Sequence, residues 1–153
     1  MTLSGLSIVC VSDGPRESTP TQEDLDRLLL LTLSRPQEAL AKARGILAGH
    51  PDANGASVAH QAAGIVLRDI GDVGAGIREL RAALRLARRT GSPEREADIL
   101  GSLGLAFVYA GRTASGYAAF DRAVQMSSGV LKGRVLHRRG LVMWTLGRPI
   151  LTP

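Results

Sequence analysis

The stretch "GIVLRDIGDVGAGIRELRAAL", residues 64–84, decides the fold. It runs from an apolar segment through a glycine-rich turn into an amphipathic segment, the order in which a dinucleotide-binding strand, phosphate loop and helix follow one another. The spacing argues otherwise. "GDVGAG" lacks the G-x-G-x-x-G register and no "GK[ST]" follows it. Arg68 and Asp69 also fall inside what would have to be a buried parallel strand.

Comparison of the stretch with the rest of the chain gives a different reading. "GLAFVYAGRTASGYAAFDRAV" (104–124) and "GLVMWTLGRP" (140–149) carry the same pattern: glycines stand at 64 and 71, at 104 and 111, and at 140 and 147. The pair 71/76 returns as 111/116, whereas Gly74 becomes Ala114. The glycine that makes the loop look like a cradle is therefore outside the repeating unit. "IGD" is a turn between two helices of a repeat.

Composition fits a helical chain. It has 153 residues, 44% of them apolar and 3% aromatic, enough for one domain whose core is Leu, Ile, Val and Ala. A single cysteine, Cys10, rules out an internal disulfide or a thiolate zinc cage and points to a reducing, cytoplasmic setting. No run reaches the roughly 20 apolar residues of a membrane span, and "LSIVCV" near the start lacks the flanks of a signal peptide. The net charge of +5 is carried mostly by arginine and favours acidic partners.

Residues 1–20 end in "SDGPRESTP" and read as a flexible linker, with the ordered domain running from Thr21, a candidate N-cap, to residue 149 and a tail over 150–153. Pro36 marks a helix start, and breaks fall at "GHPDANG", "IGD" (70–72), "TGSP" (90–93), "AGR" (110–112), "SSG" (127–129) and "LGRP" (146–149). Seven helices and no strand result: an all-α fold.

Residues 97–124 resemble the tetratricopeptide repeat, W-x2-L-G-x2-Y followed by A-x3-F, in a unit of about 34 residues. Leu100 stands at the Trp place, Leu103–Gly104 at the Leu-Gly pair and Phe107 at the Tyr; Gly116, Phe120 and Ala123 follow in the second helix. The preceding copy offers His60, Ala63, Gly64, Leu67, Gly76, Leu80 and Ala83, and the fourth Leu136, Arg139, Gly140 and Met143. The first, with Ala39, Ala43, Ile46 and Pro51, is degenerate. Equivalent positions recur after 37, 40 and 36 residues, longer than the family period. The resemblance implies a right-handed solenoid of about three and a half stacked hairpins. "HQAAGIVLRDIGD" and "LGSLGLAFVYAGR" also resemble the repeat region beside the caspase-like domain of actinobacterial CHAT proteins. That implies a regulatory or recognition half without the protease.

In the family, first helices line a concave groove. By register this groove takes Val58, Gln61, Ile65 and Arg68, then Asp98, Gly101, Leu105 and Val108, then Arg134, His137, Leu141 and Trp144. Its arginines and His137 suit an acidic peptide or a carboxylate, with Leu105, Val108 and Trp144 as apolar contacts. The expected function is a non-enzymatic protein-interaction module, without catalytic residues, cofactor or metal. The alternative lies on the second helix of copy two, where Arg78, Arg81, Arg85, Arg88 and Arg89 share one face and Ile77, Leu80, Leu84 and Ala87 the other. Such a face either tracks nucleic-acid phosphates or is simply solvated, and no aromatic residue interleaves for base stacking. His50, His60 and His137 are too far apart for a helical metal motif.

The fourth copy has a first helix, with the nearly continuous apolar run Leu141, Val142, Met143, Trp144 and Leu146, but Pro149 leaves no room for a second. The expectation is either that the chain is a fragment of a longer array or that the exposed face pairs with another molecule, so that the isolated chain self-associates or is poorly soluble, with residues 129–153 the least stable part.

Overall fold

The computed structural model describes residues 18–146. The linker expectation for 1–17, Cys10, the break at 147–149 and the 150–153 tail lie outside them. The described residues form seven helices and no strand: α1 (Gln22–Ser34), α2 (Pro36–Ala48), α3 (Ala53–Asp69), α4 (Val73–Thr90), α5 (Pro93–Tyr109), α6 (Thr113–Met126) and α7 (Gly129–Thr145). No helix among them is long and apolar enough to cross a membrane.

Local chemistry sets the boundaries. Thr21 caps α1 in a reciprocal box with Asp24, and Pro36 opens α2, where its missing N–H is not needed. Asp52, Asp72 and Ser92 cap α3, α4 and α5 through their side chains. The turn in the opening stretch closes as a Schellman motif: Asp72 N–H donates to Leu67 O (2.9 Å) and Gly71 N–H to Arg68 O (3.3 Å). Gly71 takes φ +99°, a left-handed conformation that needs glycine. The α5–α6 turn repeats this forty positions on, with Arg112 N–H to Phe107 O (2.8 Å) and Gly111 at φ +78°. The supposed cradle is a helix–helix turn, and Asp72, a carboxylate, occupies the end of α4 that a phosphate would need.

The hairpins α3–α4 and α5–α6 close on paired glycines. A Cβ on Gly76 would lie 2.9 Å from both Gly64 O and Arg68 N; one on Gly116 would lie 2.8 Å from Gly104 O and 2.6 Å from Val108 Cγ2. Leu80 and Phe120 fill the seams beside Gly64 and Gly104 and are wholly buried. Contact at this range is open only to residues without a Cβ, which offsets the helix-propensity cost of about 1 kcal/mol for each glycine.

The seven helices lie in two layers. Each packs on its successor, and the odd helices also touch one another in sequence, α1 on α3, α3 on α5 and α5 on α7. Among the described residues no even helix touches another even helix. The odd layer is therefore the inner, shorter arc. Two apolar clusters fill the interior, one of α1–α3 residues around Leu25, Leu40, Val58 and Val66, the other of α4–α7 residues around Leu80, Ile99, Phe120 and Val135.

Candidate functional site

The inner face of α3, α5 and α7 carries a polar network that links the three helices. Asp98 on α5 is its hub. Its Oδ2 accepts from Gln61 Nε2 at 2.9 Å and faces Arg95 Nη1 at 3.8 Å, while Oδ1 lies 3.6 Å from Arg138 Nη1 on α7. Gln61 is 1% exposed, and its Oε1 accepts from Arg95 Nη1 at 2.7 Å. Arg95 Nη2 donates to Ser57 Oγ at 3.2 Å, and Ser57 in turn donates to Ala83 O at 3.0 Å. Arg68, also buried, gives Nη1 to Ser102 O (3.2 Å) and Nε to Asp69 (2.8 Å), and its guanidinium lies over the Tyr109 ring at 5.8 Å. A Cβ at Gly101 would stand 3.2 Å from Arg138 Nη1, so the glycine gives the α7 arginine room to reach Asp98.

The electrostatic balance of this face is cationic. Burial pushes the Arg138 guanidinium below its ordinary range, Asp98 opposes that, and Arg68 and Arg134 depress it further. Arg95 is also depressed by burial, with Asp98 and Asp26 opposing. Arg95 Nε, Arg138 Nη1 and Asp98 Oδ1 are buried without a hydrogen-bond partner. One hub carboxylate thus sits between two desolvated guanidiniums, while Asp69 pairs with Arg68 and Asp26 supports Arg95, which leaves Arg134 as the cation of this group with no carboxylate paired to it among the described residues. An added anion would relieve the repulsion between Arg134 and Arg138.

Of the groove residues read from register, Gln61, Arg68 and Asp98 are brought together, but the first two are spent inside the chain. Leu105 is half-buried against the core. Val108 Cγ2 lies where a Cβ on Gly116 would need to be, which assigns Val108 to the α5–α6 seam. Arg134, His137 and Trp144 are exposed, Trp144 at 73%. Register alone missed Ser57, Arg95, Ser102 and Arg138. The available signal was the i,i+4 pairs Ser57/Gln61 and Asp98/Ser102, polar residues isolated in apolar helices that must find each other when buried.

On α4, Arg78, Arg81, Arg85, Arg88 and Arg89 are all exposed opposite buried Ile77, Leu80, Leu84 and Ala87. Arg88 Nε is held by Glu96 at 2.9 Å, and Arg81 and Arg112 lie over the Phe107 ring at 5.6 and 4.8 Å. His60 Nδ1 pairs with Glu79 across the α3–α4 seam, while His50 is exposed in the α2–α3 connection and His137 is exposed on α7. Among the described residues no group of three or more His, Cys, Asp or Glu could hold a metal ion.

Compared with protein-family models, curated proteins and solved structures, the chain matches none.

Proposed function

We propose that the chain is a non-enzymatic protein-interaction module, a tetratricopeptide-like right-handed stack whose inner face receives an acidic peptide or a peptide carboxylate. The observation that carries this reading is that Asp98 is shared by two guanidiniums, Arg95 at 3.8 Å and Arg138 at 3.6 Å, with the exposed Arg134 on the same helix as Arg138. The paired glycine seams at 64/76 and 104/116 support the repeat reading, and the inner odd layer supports a concave binding face. Leu105 and Leu141 supply apolar contact beside the charges. A place as the recognition half of a CHAT-type protein, working in the cytoplasm, fits the same reading.

Fluorescence anisotropy of a labelled glutamate-rich peptide tests it, with a glutamine-rich peptide of equal length and a generic single-stranded RNA as comparisons. The glutamate peptide binds most tightly, and Arg134→Gln, a change at an exposed side chain, weakens it by about tenfold, the equivalent of ~1.4 kcal/mol. Equal binding of the glutamine peptide would sink the proposal. Tighter, steeply salt-dependent RNA binding that is lost in Arg81→Gln/Arg85→Gln would move the function to the α4 face.

A further inference from the structure

The outward side of α7 repeats, position for position, the surface on which α5 receives α6. In α5 that surface is Leu100, Gly104, Phe107 and Val108; Leu100 and Phe107 are 5% and 8% exposed, and Gly104 lies against Gly116 O and the Phe120 ring. Thirty-six positions on, α7 presents Leu136, Gly140, Met143 and Trp144. Here Leu136 is 44% and Trp144 73% exposed, and a Cβ on Gly140 would meet nothing within 4 Å. The glycine seam that joins α3 to α4 and α5 to α6 thus continues onto α7 and is left open there.

Charge decides between occupants. The segment Gly129–Thr145 contains Lys132, Arg134, His137, Arg138 and Arg139 and no acidic residue. Arg138 and Arg139 are engaged by Asp98 and Asp121, which leaves Lys132 toward one edge of the open face and Arg134 with His137 toward the other, by helical register. Two α7 faces brought together would set these cations against each other, so self-pairing is disfavoured. Complementary charge lies on a helix with Asp or Glu along both margins. The two closed seams specify its centre: a small residue at closest approach, a large apolar residue four positions on and alanine three beyond that, as in Gly76-Leu80-Ala83 and Gly116-Phe120-Ala123. Since Trp144 replaces Val108, which already touches Gly116, the small residue has to be glycine.

We infer that the outward face of α7 is a docking site for an amphipathic helix of the pattern Gly-x3-Leu/Phe-x2-Ala with acidic flanks, supplied by a partner protein. This surface meets the Asp98 face at Arg134 and His137, but its test is read at Gly140 and Trp144 and does not depend on that reading.

Trp144 is the only tryptophan in the chain, so its emission reports directly on this face. The probe is a synthetic peptide of α6, residues 113–126, in two forms: the native sequence, and one with glutamate at Ser115 and Arg122 on one margin of the Gly116-Phe120-Ala123 seam and at Tyr117 and Val124 on the other, by helical register. The glutamate form is expected to shift Trp144 emission to the blue saturably and to bind at least tenfold more tightly than the native form. Replacing the peptide's own glycine, Gly116→Leu, abolishes the shift. In the protein, Gly140→Leu weakens binding at least tenfold while thermal stability is unchanged or raised, because the new side chain enters open space in the free chain. Undiminished binding by Gly140→Leu, or no shift with the glutamate peptide, overturns the inference. So does a concentration-dependent shift without peptide, which would mean that a second copy covers the face.

Discussion

Glycines of one repeat class respond oppositely to the same substitution, depending on whether their seam is closed. Gly76→Ala would put a Cβ 2.9 Å from Arg68 N and Gly64 O, both backbone atoms that cannot swing aside, and is expected to destabilise the fold by about 1–3 kcal/mol in urea unfolding. Gly140→Ala meets open space and is expected to stabilise by up to about 1 kcal/mol from helix propensity. Gln61→Ala exposes the network's dependence on one side chain: it leaves Asp98 Oδ2 and Arg95 Nη1 without their shortest contacts, a loss of roughly 1–3 kcal/mol by the same measurement. Residue identity alone revealed part of this. The glycine spacing showed which helices pair, because only close approach explains glycine inside a helix. Gln61 and Arg68 were legible as inward-facing but not as consumed, because which partners neighbouring helices supply depends on packing that register does not encode.

At the scale of the element, helix ends were the most legible feature. Each break named by Gly, Pro or a capping residue within 18–146 coincides with a helix boundary, since turn and cap chemistry is local. One end departs from its counterpart. Asp72 caps α4, whereas Arg112 takes the matching place before α6 and provides no side-chain cap. Arg112→Asp gains a cap worth roughly 0.5–2 kcal/mol. It gives up the exposed stacking on Phe107, worth roughly 0.5–1 kcal/mol. A small net rise in melting temperature, read by circular dichroism, is the expected outcome. The capping box of α1 responds to pH. Hydrogen bonds from the Thr21 backbone and side chain hold the Asp24 carboxyl below its ordinary value. Its stabilisation is therefore present above the ordinary carboxylate pKa and is lost as pH falls through the lowered one. Amide exchange in the first turn of α1 should accelerate across that window, and Asp24→Asn should flatten the response.

Across the whole molecule, stability should be graded. α3 and α5 contribute long lists of buried residues, whereas α7 buries only Val135 and Val142 among its described side chains. In a stack where each unit leans on its neighbours, the element with one covered side opens first. Hydrogen-exchange mass spectrometry is expected to find α7 exchanging well before α3–α5, and the acidic α6-type peptide to slow it. Uniform protection through α7 would contradict that order. The all-helical architecture was readable from periodicity and breaks. The contrast between odd helices that touch one another and even helices that do not was not, because it arises from the angle between successive hairpins, a sum of many small packing choices.

That contrast has a mechanical consequence. Among the described residues the even helices do not touch one another, so successive hairpins are joined by each even helix packing on the next odd helix and by the odd-helix contacts, and no even-to-even contact braces the bend. The protein should behave as a leaf spring braced on one side only, and the Asp98–Arg138 ion pair, set at 3.6 Å between α5 and α7, is a soft link on that side. A guest drawn to those arginines would change the spring's curvature as well as occupy it, so the radius of gyration from solution scattering should move with occupancy.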